Sequence, residues 1–81
     1  MKVGLEKMDA QAWAEAVTQF DQVLEKNPNQ ATALNAKGVA LFQQGKIKEA
    51  IPFFDQAIQV DSTSYKPWFN RGNANMELTN Y

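Results

Sequence analysis

Apolar side chains recur every three or four residues along two stretches of this chain, which is the spacing that one face of an α-helix requires. The first stretch carries Trp13, Ala16, Val17, Phe20, Val23 and Leu24. The second carries Ile47, Ala50, Ile51, Phe54, Ala57 and Ile58. Polar and charged residues fill most of the intervening positions, so each stretch predicts an amphipathic helix with one face turned towards a core.

Residues typical of turns separate these stretches from their neighbours. They are Asn27-Pro28-Asn29, Gly45-Lys46 and Asp61-Ser62-Thr63-Ser64, and their Gly, Pro, Asn, Asp and Ser side chains favour turn conformations. The segments between the turns are compatible with helices as well. The sequence therefore predicts an all-α chain of five helices, over about residues 1–10, 13–26, 31–44, 47–60 and 65–79.

The chain also resembles itself when it is shifted by 34 residues, which is a period typical of helical repeats. The shift pairs Phe20 with Phe54 and Gly38 with Gly72. These matches fall on positions where packing restricts the size of the side chain. The period therefore divides a single predicted domain, 1–81, into a short first unit at 1–30, a complete second unit at 31–64, and the first helix of a third unit, or a cap, at 65–81.

The second unit reads Leu34-x2-Lys37-Gly38-x2-Leu41, followed by Ala50-x3-Phe54. This pattern resembles the tetratricopeptide repeat family, whose 34-residue helix-turn-helix unit has W-x2-L-G-x2-Y, then A-x3-F, then P. The sequence departs from the family at Lys37 and at Arg71, where the family has leucine. The resemblance implies a right-handed α-solenoid of antiparallel helix pairs that acts as a non-catalytic protein–protein interaction module.

A second stripe of residues, made of apolar side chains and asparagines at helical spacing, lies beside the packing face of each unit's first helix. In the resembled family this surface lines a concave groove for an extended peptide or a partner helix. The resemblance implies groove residues at Asn35, Val39, Phe42, Lys66, Phe69, Asn70, Asn73 and Met76, and the stripe continues to Met1, Leu5 and Met8 in the first unit. The alternative is that Leu5, Val39 and Phe42 are core between the repeats.

A second functional hypothesis comes from the two ends, which both fall inside a repeat unit. We expect either a fragment of a larger scaffold protein or a structural element that forms homo-oligomers through its terminal helices. Trp68, Gly72 and Leu78 are the expected self-association residues, because the second helix of their unit does not follow in this sequence.

Composition narrows the function further. Eight Lys and Arg residues against nine Asp and Glu residues leave a net charge of −1, which does not favour a nucleic-acid partner. No apolar run is long enough to cross a bilayer, so we expect no membrane partner. The chain has no Cys and no His, so we expect neither an enzyme nor a cofactor or metal. The compartment stays undetermined, with the cytoplasm as the default.

Overall fold

Four helices make up the part of the chain that the computed structural model describes, which is the backbone of residues 2–79 and the side chains of residues 12–79. They are α1 (Lys2–Lys26), α2 (Ala31–Gln43), α3 (Ile47–Val60) and α4 (Tyr65–Thr79). Each helix packs against the next along the chain, and α2 also contacts α4. The prediction of an all-α fold is confirmed, whereas the division into repeat units stays a prediction. Met1 and the side chains of Leu5 and Met8 lie outside the described residues.

The prediction of five helices is wrong, because the first two predicted helices form the single helix α1. The reason is the absence of a stop signal. Gly45 ends the α2 segment with a φ of +84°, a left-handed conformation that glycine adopts readily. The positions 34 residues before Gly45 and Lys46 are Gln11 and Ala12. Neither of them is a glycine or a proline, so the helix continues through them.

The core lies between α2, α3 and α4. Its centre is Phe54 on α3, which is 0% exposed and clusters with Leu41, Ala50 and Ala74. A β-carbon placed on Gly38 of α2 would lie only 2.5 Å from the Phe54 ring. The absence of a side chain at Gly38 therefore lets α2 approach α3 closely, as expected for a repeat position where packing restricts the size of the side chain.

Two ion pairs recur with the 34-residue period and join one helix pair to the next. Asp21 on α1 pairs with Lys37 on α2. Asp55 on α3 pairs with Arg71 on α4, with 2.7 Å between the carboxylate Oδ1 and the guanidinium Nη1. In the predicted division, each pair links the last helix of one unit to the first helix of the following unit.

The same two cations also lie over aromatic rings. The Lys37 ammonium is 4.3 Å from the centre of the Phe53 ring, and the Arg71 guanidinium is 4.9 Å from the Trp68 ring. Both distances are within the range of cation–π attraction. These contacts explain physically how the chain accommodates a cation at two positions where the resembled family has leucine.

We expect the Asp55–Arg71 pair to contribute modestly to stability. The two side chains are 48% and 33% exposed, so a double-mutant cycle with Asp55→Ala and Arg71→Ala should give a coupling energy of about 0.3–1 kcal/mol. Chemical unfolding in low and high salt measures it, and the coupling should fall in high salt because ions screen exposed charges. A cycle between Asp55 and Lys66, which do not pair, is the control. Zero coupling for Asp55 and Arg71 in low salt would contradict the role assigned to this pair.

Candidate functional site

A hydrogen bond between two asparagines joins α2 to α4 at the centre of the candidate groove. Asn70 Nδ2 donates to Asn35 Oδ1 over 3.0 Å, and both residues are half-buried. The bond is part of the contact between the first helices of two successive units. A cleft opens on each side of it along the seam between α2 and α4.

The first cleft, which we call the polar cleft, lies towards the start of both helices. It has a volume of about 190 Å³ and is lined by Ala31, Thr32, Asn35, Ala57, Asp61, Ser64, Lys66 and Pro67. Lys66 brings a cation and Asp61 a carboxylate to its edge. The cleft therefore offers both charges and several hydroxyl and amide groups to a ligand.

Asp61 is held in its charged form by the turn that precedes α4. Its Oδ1 accepts hydrogen bonds from the Thr63 hydroxyl over 2.5 Å and from the Thr63 N–H over 3.1 Å. These two bonds lower the pKa of the Asp61 carboxyl below its usual range, and the bond from the Thr63 hydroxyl has the larger effect. The carboxylate gives the rim of the polar cleft a negative charge.

The second cleft, which we call the apolar cleft, lies on the other side of the asparagine bond. It has a volume of about 100 Å³ and is lined by Val39, Phe42, Gln43, Phe54, Asn70 and Asn73. Val39 and Phe42 are half-buried and pack against the core cluster. Both residues belong to the core and also form part of the cleft wall. The interpretation as groove residues and the interpretation as core between the repeats are therefore compatible.

The structure brings six of the eight predicted groove residues together in these clefts: Asn35, Val39, Phe42, Lys66, Asn70 and Asn73. Phe69 and Met76 line neither cleft, and they are 63% and 66% exposed on α4. Their counterparts on α2 are Asn35 and Phe42, which face α4. No helix among residues 2–79 covers the corresponding side of α4, so these two side chains are exposed, and their assignment to the groove stays a prediction.

The expected self-association residues also lie on α4. Trp68 is 47% exposed and its Nε1 donates to the Ser62 carbonyl over 3.3 Å. Gly72 is exposed and Leu78 is half-buried. A β-carbon built on Gly72 would meet no atom within 4 Å, so the face around it is open in the described part of the chain.

Sequence reasoning missed four polar residues that line the clefts. Thr32 lies one turn before Asn35 and Gln43 one turn after Val39, so following the helical spacing further would have found them. Asp61 and Ser64 belong to the turn before α4, and no helical periodicity points to them. Only the path of that turn across the ends of α2 and α3 brings them to the polar cleft.

The described side chains form no group suited to a metal ion: within residues 12–79 no three acidic, His or Cys side chains come together. None of the four helices is both long enough and apolar enough to cross a membrane. The groups that converge at the clefts are amides, hydroxyls, one cation and one carboxylate, which are groups that bind peptide chains and polar side chains.

Comparison with known proteins agrees with the repeat pattern. A family model described as tetratricopeptide repeat matches residues 3–67, which is most of the chain. No curated protein matches the chain. Repeats of this family generally act as non-catalytic modules that mediate protein–protein interactions. From the match and the helical fold together, we conclude that this chain belongs to the tetratricopeptide repeat family.

Proposed function

We propose that this chain is a segment of a right-handed α-solenoid that binds an extended peptide in the seam between α2 and α4, without catalytic activity. The observation that carries the proposal is the Asn35–Asn70 hydrogen bond with a polar cleft on one side and an apolar cleft on the other. Two clefts of different character in one line favour a chain-like ligand over a compact one.

The dimensions of the seam fit a short stretch of extended chain. Thr32 in the polar cleft and Val39 in the apolar cleft are seven residues apart on α2, which is roughly 10 Å along a helix axis. An extended peptide covers the same distance with about three residues. The ligand that fits best therefore has a polar or charged residue about three positions from a small apolar residue.

The side chains of the seam also suggest how such a peptide is oriented. The amides of Asn70 and Asn73 offer donors and acceptors to the peptide backbone. Lys66 and Asp61 discriminate among charged ligand side chains in the polar cleft. The apolar cleft removes one aliphatic side chain from water against Val39 and Phe42, which supplies binding free energy but little discrimination.

We expect Asn73→Ala and Lys66→Ala each to weaken peptide binding about 5- to 50-fold, since each removes a polar contact at one cleft. A library of random 12-residue peptides, immobilised and probed with the chain at low micromolar concentration, supplies the ligand. Fluorescence anisotropy of the best peptide then measures the affinity of each variant. Both residues are exposed, so the substitutions should leave helix content unchanged.

Asn75→Ala is the matched control for Asn73→Ala. Asn75 is an exposed asparagine two positions further along the same helix. It therefore faces a different side of the helix, and it lines neither cleft. Its substitution should change the affinity less than twofold. A selected peptide whose affinity is lowered equally by Asn75→Ala and Asn73→Ala would place the binding site elsewhere and overturn the proposal.

A further inference from the structure

The pairing of α2 with α3 provides a template for the exposed faces of α1 and α4. In this pair Gly38 lies directly against the Phe54 ring. Ala50, Phe54 and Ala57 on α3 are all 0% exposed. The 34-residue period allows each of these positions to be compared with its counterpart on α1 or α4.

The helix α4 presents the same face as α2 but without a partner among the described residues. Gly72 corresponds to Gly38, yet a β-carbon on Gly72 would meet nothing within 4 Å. Trp68 corresponds to Leu34, and the two residues are 47% and 3% exposed. The surface that α2 buries against α3 is therefore open on α4.

The helix α1 presents the complementary face. Val23 corresponds to Ala57, and the two are 38% and 0% exposed. Phe20, the counterpart of Phe54, is only half-buried. Because α1 is one continuous helix, its first half does not fold back to cover its second half, and α1 packs only against α2 among the described helices.

We propose that α4 of one copy of this chain pairs with α1 of a second copy, in the register in which α2 pairs with α3 inside the chain. Gly72 of one copy then lies against Phe20 of the next. The occupant is a second copy because the interface it forms repeats one that the chain already contains, which continues the stack of helices from one molecule to the next. The contact positions Trp68, Gly72, Phe20 and Val23 are all uncharged.

The second copy also leaves the rest of each molecule undisturbed. The side of α1 that faces α2 keeps its Asp21–Lys37 ion pair, and the side of α4 that faces α3 keeps its Asp55–Arg71 pair. The interface uses two different surfaces, so it is heterologous and each added copy exposes a new open end. A single helix pair is a small interface, so we expect reversible growth at high micromolar concentration rather than a stable closed dimer.

Sedimentation velocity of the 81-residue chain, from low micromolar to several hundred micromolar, tests this proposal. The mean mass of the natural sequence should rise with concentration past that of a dimer. Gly72→Glu should abolish this rise by blocking the α4 face, and Val23→Glu should abolish it by blocking the α1 face. Both residues are exposed, so each variant should keep its helix content by circular dichroism.

An equal mixture of the two variants distinguishes this interface from a symmetric one. The intact α4 of the Val23→Glu chain fits the intact α1 of the Gly72→Glu chain, so the mixture should form a dimer and nothing larger. Gln59→Glu, an exposed change on α3, is the control and should assemble like the natural sequence. The proposal is overturned if the natural chain stays monomeric throughout, if Val23→Glu assembles normally, or if the mixture stays monomeric.

Discussion

Replacing Phe54 by alanine is expected to lower the free energy of unfolding by about 3–5 kcal/mol, the range found for large aromatic residues removed from a core. Phe54 is 0% exposed, and it is the one large side chain within residues 12–79 that is fully buried. Its ring touches Gly38 on α2 and belongs to a cluster that includes Ala74 on α4. The substitution leaves a cavity where three helices meet.

Chemical unfolding followed by circular dichroism measures this loss. By the usual scale per residue, a domain of this length has a total stability of roughly 4–12 kcal/mol, so the loss is at least about a quarter of the total. Phe69→Ala is the matched control, because Phe69 is 63% exposed on α4 and its removal should change the stability by less than about 0.5 kcal/mol. Similar losses for the two variants would show that Phe54 is not the centre of the core.

The same alanine substitution at two glycines is expected to have opposite effects. At Gly38 the new β-carbon would lie 2.5 Å from the Phe54 ring, and Phe54 is 0% exposed, so either the ring or the two helices α2 and α3 have to shift. We expect Gly38→Ala to destabilise the chain by about 1–3 kcal/mol, the typical cost of overpacking a core. The better helix propensity of alanine offsets part of this cost.

Gly72→Ala is the control for Gly38→Ala, since it makes the same change at the counterpart position on α4. Nothing lies within 4 Å of the added carbon, so only the helix propensity acts and the chain should gain about 0.5–1 kcal/mol. Thermal unfolding at low micromolar concentration, below the range of the proposed assembly, measures both variants. A destabilised Gly72→Ala chain, or an unaffected Gly38→Ala chain, would contradict the contacts assigned to these glycines.

The helix boundaries show where local sequence information suffices. The turns at 27–30, 44–46 and 61–64 contain the Asn, Pro, Gly, Asp and Ser residues that predict them. The break expected near residues 11 and 12 contains no such residue, and no glycine or proline is present there to end the helix. Periodicity correctly indicates which positions are equivalent, but each turn still needs residues that adopt its conformation.

The candidate groove was also predictable only in part from the sequence. The α2 side of the seam follows the helical spacing of Asn35, Val39 and Phe42, so the sequence indicates it directly. The exposure of Phe69 and Met76 was not predictable from that spacing, because it depends on whether another helix lies beside α4. The ion pairs also escaped sequence analysis, although Asp21, Asp55 and their cationic partners recur with the period.

The sequence by itself determined the helical content, the 34-residue period and the family, because helix propensity, turn residues and apolar spacing are properties of neighbouring residues. Only the tertiary structure decided which of the equivalent faces are covered. Gly38 and Gly72 occupy the same place in the repeat, yet one lies against a buried ring and the other faces open space. Burial depends on the helix that packs alongside, and the spacing of residues within one helix does not indicate whether such a helix is present.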